Sequence, residues 1–332
     1  MPPLARRDVR SLVRKLGAHA RPSQQREALD AIVRLSICDD GDLNSLVAIA
    51  AAGAIPPLVQ LLGAGSSTVV QGNAAAALAN LAHLREGKAT IAATGDIPPL
   101  VQMLGETFAA VVQQKAAAAA TALMNLAQND DNQVAIAAAG AIPPLVQLLD
   151  TKSAAKVQQR AAGALDSLAD NDDNKVTIAA AGAIPALVQL LGPGSTAEVQ
   201  RKAAGTLMRL AQNADNQVTI AAAGAIPPLV QLLRARSPAT VQRYAAAALM
   251  DLAENAGKQA TIAAAGAIPP LLLRPGSDDL PKKFAACALK LLGRKNITRT
   301  VMPFSQPVPV RAWIFWRRWS AWVFNKTAKD DD

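Results

Sequence analysis

One ten-residue phrase recurs along much of the chain and constrains its fold more than any other feature. The phrase Gly-Ala-Ile-Pro-Pro-Leu-Val-Gln-Leu-Leu, exact or slightly varied, begins at Gly53, Gly95, Gly140, Gly182, Gly224 and Gly266. Successive copies start 42, 45, 42, 42 and 42 residues apart. A unit of this length cannot bury its apolar face alone, so consecutive copies must stack on one another to form a core.

Each unit contains the signals of three helices, as the copy that begins at Asp172 illustrates. Residues 172–174 offer N-cap oxygens to a short first helix over 176–181, which Gly182 ends by adopting a left-handed backbone. Pro185 fits the first turn of a second helix, where its missing N–H has no partner. A third helix is predicted because apolar residues recur at three- and four-residue steps. Its buried stripe consists of Val199, Ala203, Ala204, Leu207 and Leu210.

The composition suits a stack of closely packed helices. Hydrophobic residues make up 51% of the chain but aromatic residues only 3%, so the core must be built from small and aliphatic side chains. The chain has two cysteines, Cys38 and Cys287, and two histidines, His19 and His83. Because these are few and the cysteines are not closely spaced, we expect neither a disulfide framework nor a zinc site.

The order of a short helix, a glycine, a proline-initiated helix and a longer third helix resembles the armadillo repeat. The phrasing is similar to the arrays of plant and algal armadillo proteins and of the yeast vacuolar armadillo protein. HEAT repeats have a similar period and are the alternative, but the glycine before the proline-containing helix favours armadillo repeats. The resemblance covers residues 8–293. It implies an all-α, right-handed superhelical solenoid of about seven repeats with degenerate end repeats.

The two ends of the array are degenerate copies. Residues 5–38 match a repeat that lacks its first helix and are predicted to be an N-terminal capping repeat. A transit peptide is the alternative for the arginine-rich residues 4–16. Five repeats follow over 43–256, and residues 257–293 form a shortened C-terminal cap. Three extra residues fall in the alanine run 116–120 and are expected to lengthen one third helix.

The net charge of +9 lies at the two ends of the chain. Residues 1–34 and residues 294–332 each carry +5, whereas residues 35–273 carry −3. A slightly acidic body has no general attraction for a polyanion, so no specific nucleic-acid partner is expected.

In the armadillo family the third helices line a concave groove that binds extended peptide segments, and the resemblance implies the same groove here. Carried over position by position, the groove is lined by two rows of residues that lie seven positions apart on each third helix. The groove residues implied in this way are Asn73, Asn80, Asn125, Arg160, Ser167, Lys202, Arg209, Tyr244, Asp251 and Phe284.

The chemistry of these residues changes along the array. The amides of the first repeats can hydrogen-bond an extended backbone, because each has a donor and an acceptor. Arg160, Lys202 and Arg209 would select acidic or phosphorylated side chains. Tyr244 and Phe284 add an apolar end. These residues imply protein partners that bind through extended, acidic segments; the alternative is an ordinary solvated helix face.

Nuclear-import members of the family differ at a defined position. Their third helices carry a tryptophan followed four residues later by an asparagine, and the pair clamps basic peptides. The corresponding tryptophan positions here hold Ala76, Thr121, Gly163, Gly205 and Ala247. Import-adaptor function is therefore not expected.

The sequence has no motif for catalysis or cofactor binding. No phosphate loop, nucleophile elbow or pair of carboxylates appears. The acidic segments 39–42, 130–132 and 172–174 lack the spaced acids and closing glutamate of a calcium loop, so N-capping explains them better. No apolar run reaches the roughly 18 residues that a membrane span needs. We expect no enzyme, cofactor, bound metal or small-molecule substrate.

The C-terminal residues 294–332 form a basic, tryptophan-rich tail of different composition. On a helix its aromatic residues would occupy one half and its arginines the other, as in an interfacial membrane anchor. The residues concerned are Trp313, Trp316, Arg317, Arg318, Trp319 and Trp322. The alternatives are packing against the last repeat, binding to a partner, or an unstructured or mispredicted end.

The sequence therefore predicts a non-enzymatic scaffold or adaptor that binds extended partner segments in its groove. The alternative is a peripheral membrane adaptor that its tail anchors to a membrane surface. We expect an intracellular, cytoplasmic protein, with the nucleus and the membrane periphery as alternative locations.

Overall fold

The structure of the chain is a computed structural model that describes residues 6–17, 19–36, 43–105, 110–233 and 237–255, together with 257, 261, 262 and 265. These residues contain seventeen helices and no strand. The chain divides into two compact units, Met1–Leu252 and Ala253–Asp332, and the contacts described below lie in the first.

The helices follow the predicted order of two at the N-terminus and then three in each repeat. The N-terminal pair is α1 (Arg6–Leu16) and α2 (Pro22–Ser36). The first helices of the repeats are α3 (Asn44–Ala51), α6 (Arg85–Ala93), α9 (Asp130–Ala138), α12 (Asp172–Ala180) and α15 (Ala214–Ala222). The second helices are α4 (Ile55–Leu61), α7 (Ile97–Gln102), α10 (Ile142–Gln147), α13 (Ala183–Leu190) and α16 (Ile226–Leu232). The third helices are α5 (Thr68–Leu81), α8 (Ala110–Leu126), α11 (Ala155–Leu168), α14 (Ala197–Leu210) and α17 (Ala239–Ala253).

The glycine that separates first and second helices is required by its backbone conformation. Gly53, Gly95, Gly140, Gly182 and Gly224 all have φ between 75° and 82°. In the first repeat, the N–H of Ala54 donates to the carbonyl of Ile49 at 3.4 Å, which closes a Schellman turn around Gly53. A side chain at these positions would be strained, so the repeated glycine fixes the sharp turn between the two helices.

One first helix begins earlier than the sequence suggested, and a different residue caps it. In the fourth full repeat α12 begins at Asp172, not at Val176, and the side chain of Asn171 accepts from the N–H of Asn174. Asn174 is itself buried and donates to the carbonyls of Leu168 and Gln133. The prediction that residues 172–174 supply the cap was therefore wrong, because Asn171 takes the extended N-cap conformation and Asp172 is already helical.

The core is formed where consecutive third helices pack side by side. Contacts run in order from α2 to α5, α8, α11 and α14. In α14 the predicted stripe is fully buried, at 0% exposure for each of Val199, Ala203, Ala204, Leu207 and Leu210. The stripe combines small alanines with aliphatic side chains, so the helices approach closely and leave little room for aromatic residues.

A glutamine in each of several third helices ties it to the preceding helix of its unit. Gln71 Nε2 donates to the carbonyls of Leu62 and Gly63, and Gln200 Nε2 donates to those of Leu191 and Gly192. These carbonyls lie at the end of the second helix, where intrahelical partners run out. Gln25 makes the same bond to Gly17, which gives α1 and α2 the relationship of a second and a third helix.

The extra residues of the alanine run lengthen α8 as predicted. This helix has 17 residues, whereas α5, α11 and α14 each have 14. Three residues are close to one helical turn, so the inward face keeps its phase and Leu123 and Leu126 remain fully buried.

Among the described residues, no single helix has both the length and the apolar character needed to cross a membrane. One pair, Asn44–Ala51 with Ile55–Leu61, meets the two criteria only jointly and is bent by 81° at its break.

Candidate partner-binding face

The residues predicted to line the groove lie on the third helices, and we call their common surface the third-helix face. Its described members are Asn73, Asn80, Asn125, Arg160, Ser167, Lys202, Arg209, Tyr244 and Asp251. Most of them are half-buried between neighbouring helices. Phe284 and the tail residues Trp313, Trp316, Arg317, Arg318, Trp319 and Trp322 lie outside the described residues, as do most of the predicted C-terminal cap and the whole tail.

The asparagines of the face are bonded to the preceding repeat. Asn73 Nδ2 donates to Asp30 Oδ1 at 2.7 Å, and Asn80 Nδ2 donates to Ser36 Oγ at 2.9 Å. Both bonds join α5 to α2. One N–H of each amide therefore already bonds to the preceding repeat, and only the second N–H and the amide oxygen can bond to an extended partner.

Asn125 is the most deeply placed of the predicted ligands. It is 1% exposed, and its Nδ2 donates to the carbonyl of Ala79 at 2.7 Å. The same nitrogen lies 3.4 Å from Nε2 of His83, whose pKa is lowered by burial and further by the charges of Lys88 and Arg160. Asn125 Oδ1 has no hydrogen-bond partner. An extended partner cannot reach this amide from the surface, so its evident role is to join α8 to α5.

Arg209 is held in an ion pair that the sequence analysis missed. Its Nε donates to Asp166 Oδ1 at 2.7 Å, and its guanidinium also contacts the carboxylate of Asp170. Burial acts to lower the pKa of Arg209, but the two carboxylates raise it above its ordinary value. Burial raises the pKa of Asp166 despite Arg209 and Lys202 nearby. Arg209 thus joins α14 to α11, and its charge is compensated within the protein.

The other two predicted cations form no such ion pair, although the charge of Lys202 acts on the carboxylates of Asp166 and Glu198. No carboxylate in the described part of the chain forms an ion pair with Arg160 or Lys202. Arg160 Nε is buried without a hydrogen-bond partner, and burial lowers the pKa of this guanidinium. An uncompensated cation with a buried donor is a group that an anionic ligand would satisfy.

Gly163 lets side chains of the two neighbouring repeats pack closely on α11, beside Arg160. A Cβ at this position would lie 2.7 Å from Sδ of Met124 and 3.5 Å from Nζ of Lys202. Side chains from α8 and α14 therefore meet above the backbone of α11, because residue 163 has no side chain of its own. Arg160 lies one turn earlier on α11, so both positive charges lie on the same side of that helix.

An aromatic and cationic cluster follows at the next repeat. The guanidinium of Arg243 lies 5.2 Å from the centre of the Tyr244 ring. A Cβ at Gly205 would lie 3.5 Å from this ring, so the small residue again makes room for a side chain of the following repeat. The two remaining members of the face, Ser167 on α11 and Asp251 on α17, are half-buried.

The hydrogen-bond and ion-pair partners of these side chains can be recognised from their spacing in the sequence. Asp30 and Asn73, Ser36 and Asn80, and Asp166 and Arg209 are separated by 43, 44 and 43 residues. These spacings are within two residues of the 42-residue period, so complementary polar residues about one period apart on third helices indicate bonds between repeats. No group of three or more histidine, cysteine or acidic side chains suited to a metal ion occurs among the described residues.

The repeats match a known family of repeat proteins. The model of the armadillo/beta-catenin-like repeat matches residues 46–83, 129–170, 171–211 and 213–250. A search of curated protein sequences gives no match.

Several solved structures are similar over most of the chain. A crystal structure of an engineered protein has a TM-score of 0.75 and 32% identity, covering 86% of this chain and 68% of that one. A computationally designed armadillo repeat protein for modular peptide recognition has a TM-score of 0.63 and 30% identity, with coverages of 73% and 99%. A designed armadillo repeat protein in complex with the peptide (KR)4 has a TM-score of 0.63 and 29% identity, with coverages of 74% and 99%.

Proposed function

Because the chain belongs to the armadillo-repeat family, we propose that it is a non-enzymatic scaffold that binds extended segments of partner proteins along its third-helix face. The designed relatives support this role, since one is named for peptide recognition and another holds a peptide. An extended segment laid across parallel helices can meet each repeat in turn, which is how a solenoid gains affinity from repeated small contacts.

We further propose that the partner segment is acidic where it crosses α11 and α14. The observation that carries this proposal is that Arg160 Nε is buried without a hydrogen-bond partner and that neither Arg160 nor Lys202 forms an ion pair within the described residues, whereas Arg209 is paired with Asp166 and Asp170. The ammonium of Lys202 lies over the backbone of Gly163, one helical turn from Arg160, so both positive charges lie on the same part of the third-helix face. The designed relative holds an alternating Lys-Arg peptide; here a basic segment would be repelled at these repeats.

The charge preference is tested with two labelled peptides of equal length, one alternating Glu and Ser and one alternating Lys and Ser, by fluorescence anisotropy. We expect the acidic peptide to bind more tightly, and Arg160→Gln with Lys202→Gln to weaken it roughly tenfold through loss of charge-assisted bonds. The matched control replaces the exposed cations Lys152 and Lys156 with Gln and should change nothing. Equal binding of both peptides would disprove the preference.

Partners from the source cell are then captured with the intact chain and with a charge-reversed version, Arg160→Glu and Lys202→Glu. Arg209 is left unchanged, because a glutamate there would face Asp166 and Asp170 and would disrupt the α11–α14 contact. A partner that is lost on reversal, with melting unchanged, is bound by the third-helix face. If every partner persists, the face is not the working surface.

The alternative role, a peripheral membrane adaptor, depends on the tryptophan-rich tail and on its sequence alone. It is tested by co-sedimentation of the full chain with anionic vesicles, beside a version with Trp316→Ser, Trp319→Ser and Trp322→Ser. We expect the tail variant to pellet less if the tail anchors the chain. Equal pelleting of the two proteins would rule out the tail as an anchor.

A further inference from the structure

A column of exposed valines crosses the first helices, on a surface that the third-helix face does not include. Val134, Val176 and Val218 are 57%, 54% and 49% exposed, and they occupy the same position in α9, α12 and α15. Val47 on α3 is also at this position and is 52% exposed. A single exposed valine needs no explanation, but the same exposure on three adjoining helices gives a regular row of apolar side chains.

A row of carboxylates runs beside the valines. Asp131, Asp173 and Asp215 are exposed, and each lies three residues before the valine of its helix, on the same side. None of the ion pairs in the described residues uses these three aspartates. The single Lys or Arg in these three helices is Lys175, whose side chain is 8% exposed and bonded to Asp172. The strip is therefore apolar along one line and acidic along the next.

The distance between neighbouring valines indicates the secondary structure of a ligand that could contact all three. The first helices contact one another in the order α9, α12, α15, and packed helices lie about 8–10 Å apart. Residues seven apart on an α-helix face the same way and are about 10.5 Å apart. In an extended strand every second side chain faces the same way, so side chains on one face lie about 6.6 Å or about 13 Å apart. Neither distance matches the separation of the packed helices. A helix that crosses the three first helices can thus meet all three valines.

We propose that this surface, the first-helix strip of Val134, Val176, Val218 and the aspartates beside them, is a second docking site that binds a cationic amphipathic α-helix of a partner protein. Apolar residues at every seventh position of that helix pack on the valines. Lysines or arginines one turn away on its flank face the carboxylate row. The strip and the third-helix face are then separate surfaces, so one chain can hold an extended segment and a helical segment together.

The probe is a labelled three-heptad peptide with one leucine and one lysine in each heptad and alanine elsewhere, titrated against the full chain by fluorescence anisotropy. We expect binding that weakens with salt, and a peptide of the same composition in scrambled order should not bind. Replacing the three valines with threonine keeps their shape and should weaken binding roughly tenfold or more, because the apolar contact is lost. Replacing the three aspartates with asparagine should remove most of the salt dependence.

Two controls separate this site from other effects. Val69→Thr changes a valine that is 49% exposed on α5, away from the first-helix strip, and should leave binding unchanged. Arg160→Gln with Lys202→Gln should also leave it unchanged, so failure here is distinct from failure of the third-helix face. Unchanged binding by the triple threonine variant, with melting as in the parent, would overturn the proposal. So would sedimentation that shows a dimer of the chain dissociated by that variant, since a second copy would then cover the strip.

Discussion

Asp96 occupies a position that the other described repeats give to alanine, at Ala54, Ala141, Ala183 and Ala225. It is 0% exposed, and neither carboxylate oxygen has a hydrogen-bond partner. Burial raises the pKa of Asp96 to about 7, opposed by backbone N–H groups of Asp96 and Ile97 that lie near the carboxylate without hydrogen-bond geometry. A charge with no partner in this place destabilises the second repeat whenever the side chain is ionised.

The consequence at this residue is a pH-dependent stability. Because the folded-state pKa lies above the ordinary 3.8, the folded protein holds the proton more tightly, and the free energy of unfolding falls as the pH rises from 3.8 to about 7. Asp96→Ala should therefore raise that free energy by about 2–4 kcal/mol near pH 8, and by progressively less as the pH is lowered through 7. Urea unfolding near pH 8 and pH 5 measures this, with exposed Asp131→Ala as the control. An equal gain at both pH values would contradict the assignment.

Among the elements, three of the first helices, α9, α12 and α15, each depend on one asparagine that precedes them. Asn129, Asn171 and Asn213 each accept a backbone N–H three residues later, at 3.1 Å. The helices they start have nine residues, too few to be stable without a cap and tertiary contacts. The neighbouring aspartates only add negative charge to the first turn, where the helix dipole favours it.

The capping role predicts a difference between adjacent residues. Asn171→Ala should lower the free energy of unfolding by about 1 kcal/mol, because the N–H of Asn174 loses its acceptor. Asp172→Ala should have much less effect, since its carboxylate is 92% exposed and pairs only at the surface. Urea denaturation of the two variants decides the point. A larger loss for Asp172→Ala would return the cap to the position that sequence alone suggested.

The order and type of the elements could be predicted because repetition supplies several independent copies of each signal. The glycine before Ile184, the proline after it and the buried stripe of α14 all lie where the pattern predicts them, and the all-α armadillo solenoid is confirmed. The start of the first helix was misplaced because Asn171 and Asp172 have equally good capping chemistry. Only their backbone conformations distinguish them.

At the scale of the whole molecule, the candidate site could be predicted as a surface but not as a set of free ligands. Sequence places Asn125 and Arg209 on the same helix faces as Arg160 and Lys202. Only the packing of one third helix on the next shows that Asn125 is buried against α5 and that Arg209 is paired with Asp166. A polar side chain on such a face can hydrogen-bond either to the neighbouring repeat or to a partner protein, and its residue type does not show which.

The packing of each third helix on its two neighbours predicts how far the effect of a destabilising core substitution spreads along the array. Leu165 lies on α11 and is 0% exposed. Among the described third helices, α11 packs against α8 on one side and α14 on the other. Leu165→Ala should cost about 3 kcal/mol locally and speed hydrogen exchange in those three helices more than in α2, because a solenoid transmits stability between adjoining repeats.

Leu29→Ala, at an equally buried site on α2, is the matched control for position in the stack. It should speed exchange in α2 and α5 and leave α14 protected, as hydrogen exchange with mass spectrometry can measure for each helix. Uniform acceleration by either variant would mean that the stack unfolds as one unit. Because Arg160 and Lys202 lie on α11 and α14, Leu165→Ala should also weaken binding of the acidic peptide, whereas Leu29→Ala should not. Local stability and partner affinity would then be lost together only in the repeats that carry Arg160 and Lys202.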